Sequence, residues 1–108
     1  MGQTFKLVLF LSMVSVSASF SCANADKPEI KAEKGESTFK NQCSICHGFS
    51  GNKQLSGAKK LTESMLPIDE IEALVTHGKR QMPPFKNRLT AQEIKLVSEY
   101  AFKFRASK

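Results

Sequence analysis

Apolar positions recur with a helical period in three parts of this chain, and polar stretches rich in glycine separate them. In the first part, residues 33–42, Gly35 and Phe39 are four residues apart and therefore share one helix face. A small residue beside a large ring on one face predicts close packing against another helix. Residues 26–32 are polar and contain Pro28, which indicates a loose N-terminal linker.

The second helix is predicted to start at Pro67, since proline is tolerated in a first turn, and to stop at Gly78. Its expected buried stripe consists of Ile68, Ile71, Leu74 and Val75. The third helix opens with a capping box from Thr90 to Glu93 and is expected to run to about Ala106. Its apolar side is formed by Ile94, Val97, Ala101 and Phe104, with Tyr100 nearby.

Two long connections, residues 48–64 and 79–89, show neither helical nor alternating periodicity. Loops of that length are unusual in so small a domain unless they wrap around something. The chain has no internal repeat and no convincing strand. The pattern therefore predicts an all-α domain of three to four helices, with loops that enclose a bound group.

The first 25 residues have the order of a secretory signal peptide: Lys6, an apolar run over residues 7–16, and an Ala-Asn-Ala end at Ala25. The apolar run is too short to span a bilayer comfortably, since a spanning helix takes about 20 residues. We therefore expect export to the periplasm, cleavage after Ala25, and no membrane span in the processed chain. Two alternatives stay open: an uncleaved anchor, and a lipid anchor on Cys22, although the leucine that usually precedes a lipidated cysteine is missing.

Cleavage would leave 83 of the 108 residues and lower the formal net charge from +6 to +5, because Lys6 is removed. A core this thin usually needs a disulfide, a metal or a cofactor. The remaining Cys43 and Cys46 could form at most one disulfide across a very short loop, so a prosthetic group would stabilise the domain better. The positive charge favours acidic partners, although an ordinary solvated surface explains it equally well. The sequence has no basic stretch interleaved with aromatic residues, which is the pattern that would indicate nucleic-acid binding.

Residues 43–47, with the sequence CSICH, form the C-x-x-C-H pattern at which a c-type haem is attached. Each cysteine sulfur adds to one vinyl group of the porphyrin, and the adjacent histidine supplies a ring nitrogen to the iron. The pattern predicts one covalent haem c held by Cys43, Cys46 and His47. A thioredoxin-like site would need a βαβ pattern that is missing here. Zinc held by these three residues and His77 stays an alternative.

The sixth coordination position of the iron has three candidate ligands: Met82, Met65 and His77. Met82 is favoured because it precedes Pro83 and Pro84, which push its backbone into an extended conformation and stiffen the loop. Met65, which precedes Leu66 and Pro67, fits better as core filler. His77 is predicted at the end of a helix, where a solvent-facing side chain explains it.

These features together resemble class I cytochrome c, closest to the small monohaem cytochrome c6 or c553 type, over about residues 33–106. The resemblance is carried by Gly35 with Phe39, by C-x-x-C-H, by VTHGK at 75–79 leading to MPPF at 82–85, and by Leu89-Thr90 before a helix containing Tyr100.

The resemblance implies a cytochrome c fold over residues 33–108, with His47 and Met82 as axial iron ligands. It also implies that the Gly35/Phe39 helix crosses the last helix near Tyr100. One departure is that no proline follows His47 before Pro67, whereas many mitochondrial-type members have one there. The sequence therefore does not identify the carbonyl that orients His47.

The expected function is one-electron transfer by a monomeric periplasmic carrier, with redox proteins as donors and acceptors. Two axial ligands from the protein leave no free site on the iron, so we do not expect an enzyme. The alternative is a ligand-binding or peroxidase-like haem protein, if Met82 does not bind. The basic residues that could steer acidic partners are Lys53, Lys59, Lys60, Lys79, Arg80, Lys86 and Arg88.

Overall fold

The computed structural model describes Ser15, Ser17, Ser19 and residues 27–107. Most of the expected signal peptide, with Cys22 and the expected cleavage site after Ala25, lies outside the described residues.

The first helix, α1, spans Pro28–Gln42, so it begins five residues before the predicted start at residue 33. Pro28 stands in the first turn, where its missing N–H costs no hydrogen bond. Most of the segment that we expected to be a linker is therefore helical. Gly35 and Phe39 are the buried residues of α1, so its N-terminal half carries no hydrophobic stripe that could have marked its start.

A four-residue helix, α2, follows at Ser44–His47. The next long helix, α3, spans Ile68–His77 and ends at Gly78, whose φ of 71° is a conformation that favours glycine. This confirms the predicted stop. Ile71 and Val75 are buried, but Ile68 is 36% exposed and does not belong to the buried stripe, because it occupies the first position of the helix.

The last α-helix, α4, spans Ala91–Phe102, and its capping box is confirmed. The Glu93 N–H donates to the Thr90 hydroxyl at 3.2 Å, and the Thr90 N–H donates to the Glu93 carboxylate at 2.8 Å. The chain then tightens into a 3₁₀ turn over Lys103–Ser107. The α-helix thus ends earlier than the predicted boundary near residue 106.

Helices α1 and α4 cross in direct backbone contact at Gly35. A Cβ atom at this position would lie 2.5 Å from the Leu96 carbonyl oxygen and 3.4 Å from the Tyr100 Cβ. The Phe39 ring packs against the rings of Tyr100 and Phe104, with centroids 5.4 and 5.0 Å apart. The expected crossing near Tyr100 is therefore confirmed.

The core lies where α1, α3 and α4 meet, and α4 contacts both other helices. Its buried cluster consists of Phe39, Ile71, Val75, Phe85, Ile94 and Val97. The connection after α2 contains two short 3₁₀ turns, Leu55–Gly57 and Leu61–Glu63. Among the described residues, extended pairing is limited to one bridge between Lys79 and Met82, so the all-α prediction is confirmed. No helix in this part of the chain has the length and apolar character needed to cross a membrane.

Candidate functional site

Two cysteines and a histidine lie on one helical turn where α1 passes into α2. The Cys43 N–H donates to the Phe39 carbonyl at 2.9 Å, which closes α1. The N–H groups of Cys46 and His47 then both donate to the Cys43 carbonyl, at 3.2 and 3.0 Å. Because residues three apart share a helix face, both sulfurs are presented on the same side. Both cysteines are free and half-buried.

The two cysteines and His47 line a cavity of about 1630 Å³. Its walls come from residues 39–47, residues 54–66, α3, residues 79–88, and the last part of the chain from Val97 to Arg105. This volume exceeds the roughly 300–1,000 Å³ of typical small-ligand pockets. The cavity is therefore large enough for an extended planar group rather than a single ion.

His47 is oriented by the backbone of the following loop. Its Nδ1–H donates to the Lys59 carbonyl at 3.0 Å, which leaves Nε2 as the free acceptor nitrogen. Burial lowers the pKa of His47, and the Lys59 carbonyl opposes that shift. Burial therefore favours the neutral imidazole, the form that binds a metal. The carbonyl that the sequence did not identify is that of Lys59.

The Cys43 thiol is held in its protonated form. Burial, with a smaller contribution from the neighbouring Cys46, raises the pKa of Cys43 to about 11. A thiol of this kind does not act as a free thiolate nucleophile at neutral pH. This disfavours the thiol-redox reading of the C-x-x-C pattern.

Met82 lies in a tight turn that forms another part of the cavity wall. The Lys79 N–H donates to the Met82 carbonyl at 3.0 Å, and the Met82 N–H donates to the Lys79 carbonyl at 3.1 Å. The turn requires a left-handed φ of 56° at Arg80. On its other side the segment is fixed by the Phe85 N–H, which donates to the Val75 carbonyl of α3 at 2.9 Å. Met82 is half-buried and packs against the core.

The other two candidate ligands differ from Met82 in their surroundings. Met65 also lines the cavity but is 87% exposed, so the packing around it does not fix its sulfur. His77 is exposed at the end of α3 and does not line the cavity. Within residues 27–107 no three side chains of His, Cys, Asp or Glu are grouped as a metal site, which leaves the zinc alternative without geometric support.

Comparison with known proteins identifies the family. A family model described as cytochrome c oxidase, cbb3-type, subunit III matches residues 31–100. A cytochrome c6-like protein from a Nostoc species is 33% identical over 93% of this chain and 91% of its own length. Cytochrome c6 from Leptolyngbya boryana is 39% identical over 64% of this chain and 87% of its own. The chain belongs to the class I cytochromes c, in their cytochrome c6 type.

Solved structures agree with this assignment. Cytochrome c6 from the diatom Phaeodactylum tricornutum is 28% identical, with a TM-score of 0.62, and the match covers 70% of this chain and 95% of that protein. A second solved c-type cytochrome gives a TM-score of 0.61 at 26% identity, covering 66% of this chain and 96% of that one. The cytochrome is thus a small electron carrier with one covalently bound haem c.

The residues around the cavity fit such a group. The C-x-x-C-H turn presents two free thiols and an imidazole whose Nε2 is available. Several large apolar side chains along the cavity are exposed in the protein chain alone, and the face of a porphyrin would cover them. These side chains are Ile45, Leu55, Met65 and Leu66. Covering apolar surface of this kind stabilises a small domain.

Some of the predicted basic side chains line the cavity and others lie outside it. Of the predicted set, five line it: Lys59, Lys60, Lys79, Arg80 and Arg88. Lys53 and Lys86 are exposed outside the lining.

Sequence reasoning missed two groups of the site. The Lys59 carbonyl is a backbone atom, so its role leaves no trace in residue identity. Arg105 also lines the cavity, but it lies outside every motif in the sequence. Its position near the end of the predicted third helix contained no signal of this role.

Proposed function

We propose that this cytochrome is an exported one-electron carrier in which Cys43 and Cys46 form the thioether links and His47 and Met82 are the axial iron ligands. The observation that carries the proposal is that His47 and Met82 line one cavity and that hydrogen bonds within the backbone hold both segments. When bound, the haem supplies the one-electron couple of its iron. The protein sets its potential through ligand type, burial and hydrogen bonding.

The surroundings of Met82 support its role. Its thioether is a soft, neutral donor, which favours ferrous over ferric iron and so raises the reduction potential. The turn at residues 79–82 and the anchoring of Phe85 on α3 restrict movement of the Met82 backbone. A ligand held in one place limits the rearrangement that accompanies each electron transfer. Iron held by both His47 and Met82 would leave no site for a substrate, which is consistent with a carrier rather than an enzyme.

The decisive experiment replaces Met82 with alanine. Oxidised protein should show the weak sulfur-to-iron charge-transfer band in the far red. Met82→Ala should abolish this band, lower the potential and open the iron to added ligands such as imidazole. Met65→Ala and His77→Ala are the matched controls and should change none of the three. If the band survives in Met82→Ala, or His77→Ala removes low-spin iron, another residue is the sixth ligand and the Met82 assignment is wrong. If the unsubstituted protein lacks the band and already binds added imidazole, the ligand-binding alternative replaces this proposal.

The proposed location is the periplasm or an equivalent compartment, because residues 1–25 have the order of a signal peptide. Mass spectrometry of the exported protein should find an N-terminus at Asp26. A diacylated N-terminus at Cys22 would instead assign the protein to a membrane surface. We further propose that the processed protein is a monomer and that its partners are acidic redox proteins, attracted by the basic side chains around the cavity.

A further inference from the structure

Arg105 is a half-buried cationic group that the proposed mechanism does not use. It lies on the final 3₁₀ turn, directly after Phe104, whose ring packs on Phe39. Its Nη2 donates to the Leu66 carbonyl, and its guanidinium lies over the Phe102 ring, 4.0 Å from the centroid. These contacts join the end of the chain to the loop before α3 and hold the guanidinium at the cavity wall.

The Nε–H of Arg105 is buried and has no hydrogen-bond partner among the described residues. An unmet donor on a permanently charged group is costly when it is shielded from water. No carboxylate in the described part of the chain lies within salt-bridge distance of Arg105. The Nε–H therefore lacks an acceptor among the described residues, and the cavity is the space that Arg105 borders.

The other basic side chains of the cavity wall do not share this feature. Lys60 is paired with Glu63 at 3.4 Å. Arg88 is exposed, with its guanidinium over the Phe85 ring. The remaining three, Lys59, Lys79 and Arg80, are exposed to solvent. Among the described basic residues that line the cavity, Arg105 alone has a buried N–H without an acceptor.

We propose that Arg105 binds a propionate carboxylate of the haem. The inference rests on the proposed seating of the haem in this cavity. A haem attached through its vinyl groups retains two carboxylates, which accompany it into the cavity or to the rim of the cavity. A carboxylate is the acceptor that a guanidinium fork matches best in charge and shape. Arg105 thereby connects the cofactor, the loop carbonyl of Leu66 and the end of the chain.

Nuclear magnetic resonance of the intact, diamagnetic ferrous protein tests this contact directly. The Arg105 Nε–H should exchange slowly with solvent and show a nuclear Overhauser effect to a propionate methylene of the haem. Glu63 and Glu70 also line the cavity and are the competing acceptors. A nuclear Overhauser effect to either glutamate instead, or exchange as fast as that of an exposed arginine, overturns the proposal.

Substitutions supply a second readout. The resonance Raman band of propionate bending should shift in Arg105→Gln and recover partly in Arg105→Lys, which keeps the charge. The matched control is Lys103→Gln, which removes one positive charge from the same turn at an exposed residue outside the cavity lining. A band unchanged in Arg105→Gln, or shifted equally by Lys103→Gln, refutes the contact. If Arg105→Gln does not fold, Arg105→Lys and the spectrum of the unsubstituted protein decide.

The result is independent of the proposed axial ligation. If the unsubstituted protein shows no far-red band, Met82 ligation is refuted, while the Arg105 contact can still be observed. A covalent haem with an intact far-red band but no Arg105 contact would refute only the present inference.

Discussion

Replacing Gly78 with alanine tests how the end of α3 positions the Met82 segment. A Cβ atom on Gly78 would lie 2.5 Å from the Met82 carbonyl oxygen, 2.7 Å from the Pro84 nitrogen and 2.8 Å from the Pro83 carbonyl carbon. All three are backbone atoms, so a side-chain rotation cannot relieve the contact. Ordinary contact begins at 3.4 Å, so the segment must move by about 0.9 Å relative to Gly78.

The cost has two parts. Gly78 has φ 71° and ψ 170°, a region that is essentially restricted to glycine and costs other residues about 1–3 kcal/mol. Forcing the packed segment away adds about 1–3 kcal/mol of overpacking. We therefore expect Gly78→Ala to lower the free energy of unfolding by about 2–6 kcal/mol. In the proposed ligation, the same displacement should move the Met82 sulfur away from the iron and weaken the far-red band.

Gly57→Ala is the matched control for this experiment. Gly57 also has a left-handed φ, 78°, but a Cβ there meets no atom within 4 Å. It should therefore show the backbone cost without the displacement and keep the far-red band. Two measurements are made on the haem-loaded protein. Denaturant unfolding gives the free energy of unfolding, and the absorbance of the far-red band is recorded in the folded state. If Gly78→Ala matches Gly57→Ala in both measurements, Gly78 does not position Met82.

Three further outcomes follow from the structure. Ser98 is fully buried and its hydroxyl has no partner among the described residues, so Ser98→Ala should raise the free energy of unfolding by about 1 kcal/mol; a loss of stability would show that the hydroxyl is bonded. The Thr90 backbone N–H, and secondarily its hydroxyl, lower the pKa of the Glu93 carboxyl. This stabilisation is present above the unfolded-state pKa and is lost as the pH falls through the lower folded-state pKa. Glu93→Gln should therefore make the free energy of unfolding less dependent on pH in the acid range. An unchanged pH profile of stability would contradict this. Electron-transfer rates with an acidic partner should fall as salt rises, because the Debye length shrinks to about 8 Å at physiological ionic strength, whereas a flat profile would assign the basic residues to solvation.

The elements that were correctly predicted carry their signals within a few residues. The capping box at Thr90 and Glu93 and the stop at Gly78 depend on local backbone chemistry, and both occur where expected. The contact of α1 with α4 at Gly35 is a tertiary feature. The family resemblance nevertheless implied it. The structure gives the physical reason, since a Cβ atom at Gly35 would lie 2.5 Å from the Leu96 carbonyl oxygen.

The features that were missed depend on atoms or contacts that residue type does not encode. The start of α1 at Pro28 lies in an exposed, polar segment, so hydrophobic periodicity could not reveal it. The bond from His47 to the Lys59 carbonyl depends on how the loop folds back. The seating of Arg105 depends on the tight 3₁₀ turn after α4, in place of the longer α-helix that the sequence pattern favoured.

The separation of the two proposed iron ligands depends on α4, although α4 contributes neither of them. The His47 segment follows α1, and the Met82 segment is anchored to α3 through Phe85 and Val75. Helix α4 packs on both α1 and α3, so its packing sets the distance between the two ligand-bearing walls. Val97, only 1% exposed and part of the cavity lining, lies on the face of α4 between them. A volume change there should therefore affect ligation at the iron as well as stability, since a close-packed core transmits displacement rather than absorbing it.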